Sequence, residues 1–239
     1  MIFPGAVIGG YSAKGVTFDG SNDYLSLGSS PTGLSDQAVG LLSFWINGAN
    51  ASANAYLFFG GSIRFRVLFT AAADDVYVLG DNTSGTNILG MNTSVAVLDS
   101  SWHHVLAAWD TSTSANCKIY VDGVDRTTLT TRTSGNIDYT FGSFYCGASN
   151  TGSFKLNADV AEVWFSHNQW LDITSSANRA KFASSGRPVT LGSDGSRPTG
   201  TAPIIYFKGP ASNWGTNAGT GGNFTVNGAF TDAATKPSY

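Results

Sequence analysis

The chain has 239 residues, a formal net charge of −3 and a charged fraction of only 12%. This composition argues against nucleic-acid binding, which needs concentrated lysine and arginine to neutralise phosphates. No apolar run approaches the roughly 20 residues of a membrane-spanning helix, and a chain of this length can form one all-β domain with a substantial core.

The first residues bear on the compartment in which the protein works. The stretch Met-Ile-Phe-Pro-Gly lacks the basic region and the apolar core of a secretion signal. We therefore expect a protein that stays in the cytoplasm or leaves it without a signal peptide. Cys117 and Cys146 lie on strand faces that look inward, and we interpret them as two buried thiols, with a disulfide as the alternative.

The first predicted elements are two strands over residues 14–28, which we interpret as a hairpin. Val16 and Phe18 on the first strand, and Leu25 and Leu27 on the second, are expected to face inward. The turn between the two strands, residues 19–23, is acidic.

Strands are predicted next at residues 41–46, 56–59 and 62–70. Along the last of these, alternation places Ile63, and every second residue as far as Phe69, on an inward face. Arg64 and Arg66 then face outward, where they could hold an acidic sugar or a carboxylate of a partner. A solvated pair of arginines is the default interpretation.

Short strands are predicted at residues 76–79, 88–91, 137–148 and 154–165. Between them, residues 100–124 predict a hairpin whose loop is residues 111–116 and whose second strand is followed by an Asp122-Gly123 turn. His103 and His104 are adjacent on that hairpin and point to opposite faces, so one metal ion cannot bind both. We expect one imidazole at the sheet surface and the other packed inside. Many short strands with turns between them predict an all-β sandwich of two antiparallel sheets.

Three motifs follow one another in residues 13–167. They are F-D-G-x-x-D-Y at residues 18–24, W-H-H-V at residues 102–105 followed by Y-V-D-G at residues 120–123, and the strand at residues 156–165. Together they resemble the concanavalin A-like, laminin-G-like jelly rolls. The resemblance implies a two-sheet antiparallel jelly-roll sandwich over residues 1–167.

Many members of that family bind calcium through aspartate and asparagine side chains in loops. The resemblance makes Asp19, Asn22 and Asp23 candidate ligands, since a hard cation prefers oxygen. Ala161 stands where the family's late-strand aspartate is expected, which removes one ligand. A plain turn at Asp19 is therefore the favoured interpretation, with no cofactor expected and calcium as the alternative.

A lectin-like function would need exposed aromatic side chains with polar neighbours at a sheet face or loop rim. Aromatic residues make up 13% of the chain, so most of them are expected to be core. The candidates by residue type are Tyr77, Trp109 and Trp214, together with Trp45 and Trp164.

Some proteins of the same superfamily are glucanases, and retaining glycoside hydrolysis needs two carboxyl groups about 5 Å apart. This chain has a single glutamate, Glu162. Asp159 lies three residues away on the same predicted strand, so alternation places the two side chains on opposite faces. We therefore expect no enzymatic activity.

After residue 167 the pattern changes to a loop-rich extension, residues 168–239. Residues 170–182 predict one short helix, with Asp172 or Thr174 capping its start and Gly186 and Pro188 ending it. Strands at residues 203–207 and near 224–231 follow. We expect this extension to pack on the jelly roll or on neighbouring subunits.

The extension contains N-R-x-K-F from Asn178, G-x-P-V-x-L-G-x-D-G from Gly186, P-T-G-T-x-P from Pro198 and N-x-G-x-G-G-x-F-T-V-x-G from Asn217. This string is similar to the C-terminal segment of structural proteins of tailed phages and prophages that carry a jelly roll. The resemblance implies a non-enzymatic virion component, a capsid decoration or a tail or fibre part, assembled in the host bacterial cytoplasm. Its partners would be other virion proteins and copies of itself. A lectin-like module that binds host-surface polysaccharide is the alternative.

Overall fold

The computed structural model describes residues 11–49, 53–140, 142–150 and 152–239. The stretch expected to lack a secretion signal lies outside the described residues.

Within the described ranges the chain forms one short α-helix, α1 (Ser176–Arg179), and 3-10 turns at Gly61–Ile63, Ser114–Asn116 and Ala211–Asn213. The strands in chain order are β1 (Gly15–Asp19), β2 (Tyr24–Leu27), β3 (Val39–Asn47), β4 (Ala55–Gly60), β5 (Phe65–Phe69), β6 (Val76–Asp81), β7 (Asn87–Thr93), β8 (His103–Asp110), β9 (Lys118–Val121), β10 (Val124–Asp125), β11 (Thr127–Arg132), β12 (Phe144–Cys146), β13 (Asn157–Ser166), β14 (Ala183–Ser184), β15 (Arg187–Pro188), β16 (Ile205–Phe207), β17 (Thr225–Asn227) and β18 (Thr231–Asp232).

Two antiparallel sheets pack face to face, which confirms the predicted sandwich. Sheet A has the strand order β10-β9-β8-β3-β13-β1-β18, with β16 also paired to β13. Sheet B has the order β11-β7-β6-β5-β4-β12-β2-β17. Strands β14 and β15 form a separate small hairpin.

The core between the sheets is rich in aromatic side chains. Phe165 on β13 stacks on Phe65 of β5 with ring centroids 5.0 Å apart, and Phe58, Trp109 and Tyr139 pack around the same ring. All five side chains are fully buried. Their burial, at about 1.5–3 kcal/mol for each large apolar side chain, supplies much of the force that holds the two sheets together.

The predicted hairpin at residues 14–28 is wrong, because β1 and β2 belong to different sheets. β1 pairs with β13 and β18 in sheet A, whereas β2 pairs with β12 and β17 in sheet B. The acidic turn carries the chain across the sandwich from one sheet to the other. Phe18 and Leu25 still face the shared core, which is why the pattern of inward residues could not separate the two arrangements.

The prediction of Ile63 as an inward residue of a strand is also wrong. Ile63 ends a 3-10 turn with a φ of 64°, and its side chain is 50% exposed. The strand begins two residues later, and Phe65, Val67 and Phe69 do enter the core as expected.

The predicted helix at residues 170–182 shortens to the four residues of α1, which follow Ser175. Asp172 forms a local turn instead of a cap, because its Oδ1 accepts the Thr174 N–H at 3.0 Å. Gly186, with a φ of 71°, follows Ser185, with a φ of 51°, in the tight turn between β14 and β15, so it does not end the helix.

The C-terminal extension is woven into both sheets. Strands β16 and β18 join sheet A and β17 joins sheet B, so the single predicted last strand is in fact two. Trp214 and Phe224 enter the main core against Phe18 and Phe207. The extension also covers the outer face of sheet A, where its side chains form a second cluster with those of β3, β8, β9 and β13: Leu41, Leu106, Ala108, Tyr120, Trp164, Ile173, Phe182, Leu191 and Tyr206.

Both cysteines are buried and unpaired, which confirms the interpretation as thiols. Burial raises the pKa of the Cys117 and Cys146 thiols, so both are held in the neutral form. Among the described residues, no helix is long and apolar enough to span a membrane.

Replacing Trp214 tests whether the extension is part of the core. We expect Trp214→Ala to lower the free energy of unfolding by about 3–5 kcal/mol, the usual cost of removing a large buried aromatic ring. Denaturant unfolding measures the loss. Trp170, which is 37% exposed, supplies the matched control Trp170→Ala, and an equal loss in both variants would contradict the arrangement.

Candidate functional site

An aromatic row crosses the outer face of sheet B. We use this term for Tyr24, Tyr56, Phe59, Tyr145 and Phe154. The first four lie on β2, β4 and β12 with side chains opposite to the core residues of those strands, and Phe154 lies on the loop before β13. The outer side of sheet A is instead largely covered by the extension.

The rings of the row contact one another in sequence. Tyr24 and Tyr145 have centroids 6.4 Å apart, Tyr145 is opposite Phe59 in the β12–β4 register, and Phe59 meets Tyr56 edge-on at 5.1 Å. Tyr56 then meets Phe154 edge-on at 6.1 Å. Phe154 is 55% exposed, the three tyrosines are partly exposed and Phe59 is buried beneath them.

Two of the residues predicted from the sequence join this face. Arg66 is opposite Phe59 across β4 and β5, and Tyr77 is opposite Leu68 across β5 and β6. Arg66 is not free, because its guanidinium donates to both carboxylate oxygens of Asp81 at 3.2 and 3.3 Å. The sequence analysis therefore identified residues on the strands next to the row but none of the row itself. Alternation could have identified Tyr145, because its neighbours Phe144 and Cys146 are core residues.

Arg64 precedes β5 and forms an ion pair with Asp138 at 3.5 Å. It also donates to the carbonyl oxygen of Thr83 at 3.4 Å. Both predicted arginines thus bind carboxylates of this chain, which corrects the expectation of a solvated pair.

The tryptophans considered for ligand binding are core residues. Trp109 and Trp214 have no exposed surface, and Trp45 and Trp164 are equally buried. The Trp109 indole N–H donates to the Tyr139 hydroxyl at 3.0 Å, and the Trp214 indole N–H donates to the Gly209 carbonyl at 3.2 Å. These contacts correct the proposal of Trp109 and Trp214 as glycan-binding residues, because neither side chain reaches solvent.

A cleft of about 480 Å³ adjoins the exposed end of the aromatic row. Phe154 lines it, together with polar groups from loops and the strand ends next to them: Asp19, Ser21, Asn54, Lys155 and Asn157. Lys155 is partly buried and forms no ion pair with any described residue. The cleft therefore offers a cation, amide groups and a hydroxyl beside an exposed aromatic ring.

The candidate calcium ligands are engaged in holding the turn between β1 and β2. Asp19 Oδ1 accepts the backbone N–H groups of Ser21, Asn22 and Asp23 at 2.8, 2.9 and 3.2 Å. Desolvation raises the pKa of Asp19, but these donors outweigh it and lower the pKa below its usual value.

Asp23 is buried, and its two carboxylate oxygens accept the N–H groups of Asp19 and Ala229. The residues of the turn therefore do not fit a calcium ion, because most of their oxygens already accept N–H donors of the chain. A search of the described residues also finds no group of three or more histidine, cysteine, aspartate or glutamate side chains that could hold a metal.

Glu162 lies on the same face of sheet A as Asp159, contrary to the prediction. A β-bulge between Ala161 and Trp164, with a φ of 51° at Glu162, shifts the alternation by one residue. Val160 and Val163 consequently both face the core, and Asp159 and Glu162 both face outward.

The bulge does not create a catalytic pair of carboxylates. The two Glu162 oxygens accept the hydroxyl groups of Tyr11 at 2.7 Å and Tyr206 at 2.6 Å, and Asp159 accepts the hydroxyl of Thr17 at 2.6 Å. Burial raises the pKa of Glu162 above its usual value. Glu162 is thus a buried structural residue that ties three segments together.

The two adjacent histidines face opposite sides, as predicted. His104 is buried against Ser43, with Nε2 2.9 Å from Oγ, and burial lowers its pKa to about 4. His103 lies between Asp122 and Asp99, with Nδ1 and Nε2 at 2.6 and 3.0 Å from their carboxylates. Its hydrogen bond to Asp122 raises the pKa of His103 to about 8, against the opposing effect of burial and with further help from Asp99.

Comparison with protein families finds a match between residues 19–172 and the Concanavalin A-like lectin/glucanases superfamily. No curated protein matches the chain. A candidate carbohydrate-binding protein from Bacteroides ovatus superposes with a TM-score of 0.66 at 16% identity, over 95% of this chain and 62% of that one. A heptameric SAP-like pentraxin from Limulus polyphemus gives 0.59 at 12% identity, over 95% and 96% of the two chains. These identities show a shared fold, and the chain spans less than two thirds of the Bacteroides protein.

The pKa of His103 predicts a pH dependence of stability. Because the pKa is higher in the folded state than the usual 6.5, the stabilisation is full below about pH 6.5 and is lost as the pH rises through 8. We expect this contribution to be about 1 kcal/mol after solvent screening. Denaturant unfolding of the wild type and of His103→Gln at pH 6 and pH 9 measures it, and a difference that does not shrink at pH 9 would refute it.

Proposed function

The chain belongs to the Concanavalin A-like lectin/glucanases superfamily, and we propose that it binds carbohydrate, without catalysis, on the aromatic row and the adjoining cleft. The observation that carries this proposal is the aromatic row on sheet B, in which Phe154 is exposed and the three tyrosines are partly exposed around the buried Phe59. Phe154 is 55% exposed, and contiguous apolar surface that is left open to solvent often marks a binding site.

The surfaces of a sugar ring and of the aromatic side chains are chemically complementary. A sugar ring has one apolar face of C–H groups and a rim of hydroxyl groups. Tyrosine and phenylalanine rings offer flat apolar area that loses little conformational freedom on binding. Tyr24, Tyr145 and Phe154 could each support one such face, and the tyrosine hydroxyl groups remain able to bond at the edge.

The cleft adds groups that can orient the bound ring. Lys155 and the Asn157 amide can donate hydrogen bonds, and Ser21 can donate and accept them. A few polar groups converging beside an apolar surface is the usual arrangement of a small-ligand site. These groups come from loops, which tolerate the sequence changes that set specificity.

Binding without catalysis follows from the state of the carboxylates. Glu162 is the single glutamate of the chain and is buried on sheet A, on the opposite side of the sandwich from the aromatic row. Both its oxygens accept tyrosine hydroxyl groups. Among the described residues that line the cleft, Asp19 is the one carboxylate, whereas retaining and inverting glycosidases use two.

A second proposal, compatible with the first, is that the protein is a virion component of a tailed phage. The similarity of the motifs in residues 178–228 to phage and prophage structural proteins favours it. It would then be assembled in the host cytoplasm with other virion proteins and with copies of itself. Mass spectrometry of purified particles tests this role, and absence of the protein from them would rule it out.

Carbohydrate binding is tested with truncated aromatic side chains. We expect Phe154→Ala and Tyr145→Ala each to weaken binding to a bacterial polysaccharide by about tenfold, since each removes a stacking surface worth roughly 1–1.5 kcal/mol. A panel of polysaccharides, with and without calcium, identifies the ligand by calorimetry.

Trp170→Ala is the matched control, because this exposed ring lies near the β8–β9 connection, where its indole N–H donates to the Asn116 carbonyl. Its affinity should equal that of the wild type. The proposal fails if no polysaccharide of the panel binds, or if the control loses as much affinity as the two variants.

A further inference from the structure

A second cleft, of about 320 Å³, lies apart from the aromatic row. We call it the basic cleft, and it is lined by three segments of the chain: Tyr11, Ser12 and Ala13, then Arg187 and Pro188, then Lys236, Pro237 and Ser238. Tyr11 places it on the sheet A side, since its hydroxyl reaches Glu162 on the outward face of β13. The aromatic row lies on the outer face of sheet B, on the other side of the sandwich.

The basic cleft carries two cations and, among the described residues that line it, no acidic side chain. Arg187 and Lys236 form no ion pair with any residue in the described ranges, and no acidic residue lines the cleft. Other cations of the protein do find partners: Lys14 pairs with Asp232, and Lys118 with Asp125. Arg187 and Lys236 thus bring two positive charges to one small cleft, and a bound anion would be attracted by both.

The walls of the cleft are held in place from three sides. The Tyr11 hydroxyl donates to Glu162 at 2.7 Å, and the backbone N–H of Tyr239 donates to the Gly186 carbonyl at 2.9 Å. Pro188 and Pro237 are buried at the cleft and have fixed φ angles. The segments that carry Arg187 and Lys236 are therefore positioned before any ligand arrives, which lowers the entropic cost of binding.

We propose that the basic cleft binds a small oxyanion, a sulfate or phosphate group, either free or carried on a sugar. The Arg187 guanidinium can donate two parallel hydrogen bonds to such a group, and the Lys236 ammonium supplies a second charge from the facing segment. Ser12 and Ser238 add hydroxyl donors. This site is independent of the carbohydrate site on sheet B.

The test follows the backbone amide of Gly186 by NMR during titration at low ionic strength. Inorganic sulfate and inorganic phosphate are the free probes, and dextran sulfate with unmodified dextran distinguishes a group carried on a sugar. We expect saturable shifts at Gly186 with the oxyanions and none with unmodified dextran. Arg187→Gln/Lys236→Gln should weaken binding at least tenfold.

The matched control is Arg126→Gln/Arg197→Gln, which removes two exposed arginine charges outside the cleft. It changes the net charge equally and should bind as the wild type does. Thermal unfolding confirms that both double variants are folded. Absence of saturable shifts with every sulfate or phosphate probe, or equal weakening in the control, would overturn the proposal.

Discussion

The extra residue at Glu162 in β13 sets the geometry of sheet A along its centre. On one side of the bulge, residues 157–161 pair with β1, and on the other side, residues 163–165 pair with β16. The N-terminal strand and a strand of the extension thus share one edge of β13. The same bulge turns Val163 and Phe165 into the core and Trp164 outward against Phe182. A regular strand would exchange these faces.

The bulge contains two energetically unfavourable features, and hydrogen bonds to the same residue, Glu162, offset them. A non-glycine residue with positive φ and a buried carboxyl group are both unfavourable alone. Here the two coincide in Glu162, whose oxygens accept hydroxyl groups from Tyr11 and Tyr206. The polar contacts hold Tyr11 of the N-terminal segment against the outer face of sheet A and tie it to Tyr206 of β16, which pairs with β13 in that sheet. Much of the outer face of sheet A is consequently covered, and the surface that we propose for carbohydrate lies on sheet B.

Period-two alternation made much of the fold predictable. It placed Phe65, Val67 and Phe69 inward, and it separated His103 from His104, because neighbouring side chains on a strand point apart. Alternation cannot reveal which sheet a strand joins, since β1 and β2 show the same inward pattern in either arrangement. It also fails at the bulge, where one inserted residue reverses the faces of all that follow.

The candidate site was less predictable for a different reason. Residue type alone suggested Trp109 and Trp214, yet the largest rings gain most from burial and both lie in the core. Tyr145, flanked by Phe144 and Cys146, was within reach of the alternation rule. Phe154 was not, because it sits on a loop with a φ of 50° that no periodic pattern marks.

The pairing of the first strands with the last has a consequence for biosynthesis. Val16 lies opposite Asp232, and Leu25 lies opposite Val226, about two hundred residues further along the chain. The ribosome synthesises β1 and β2 early, and their edges stay without hydrogen-bond partners until β12, β13, β17 and β18 have been synthesised. Closing such long loops is slow, and unpaired edges invite association between nascent chains. The pairs that β1 and β2 form with β18 and β17 can therefore form only after the chain has been synthesised past residues 232 and 227, respectively, and the partner edges of both strands are open until then.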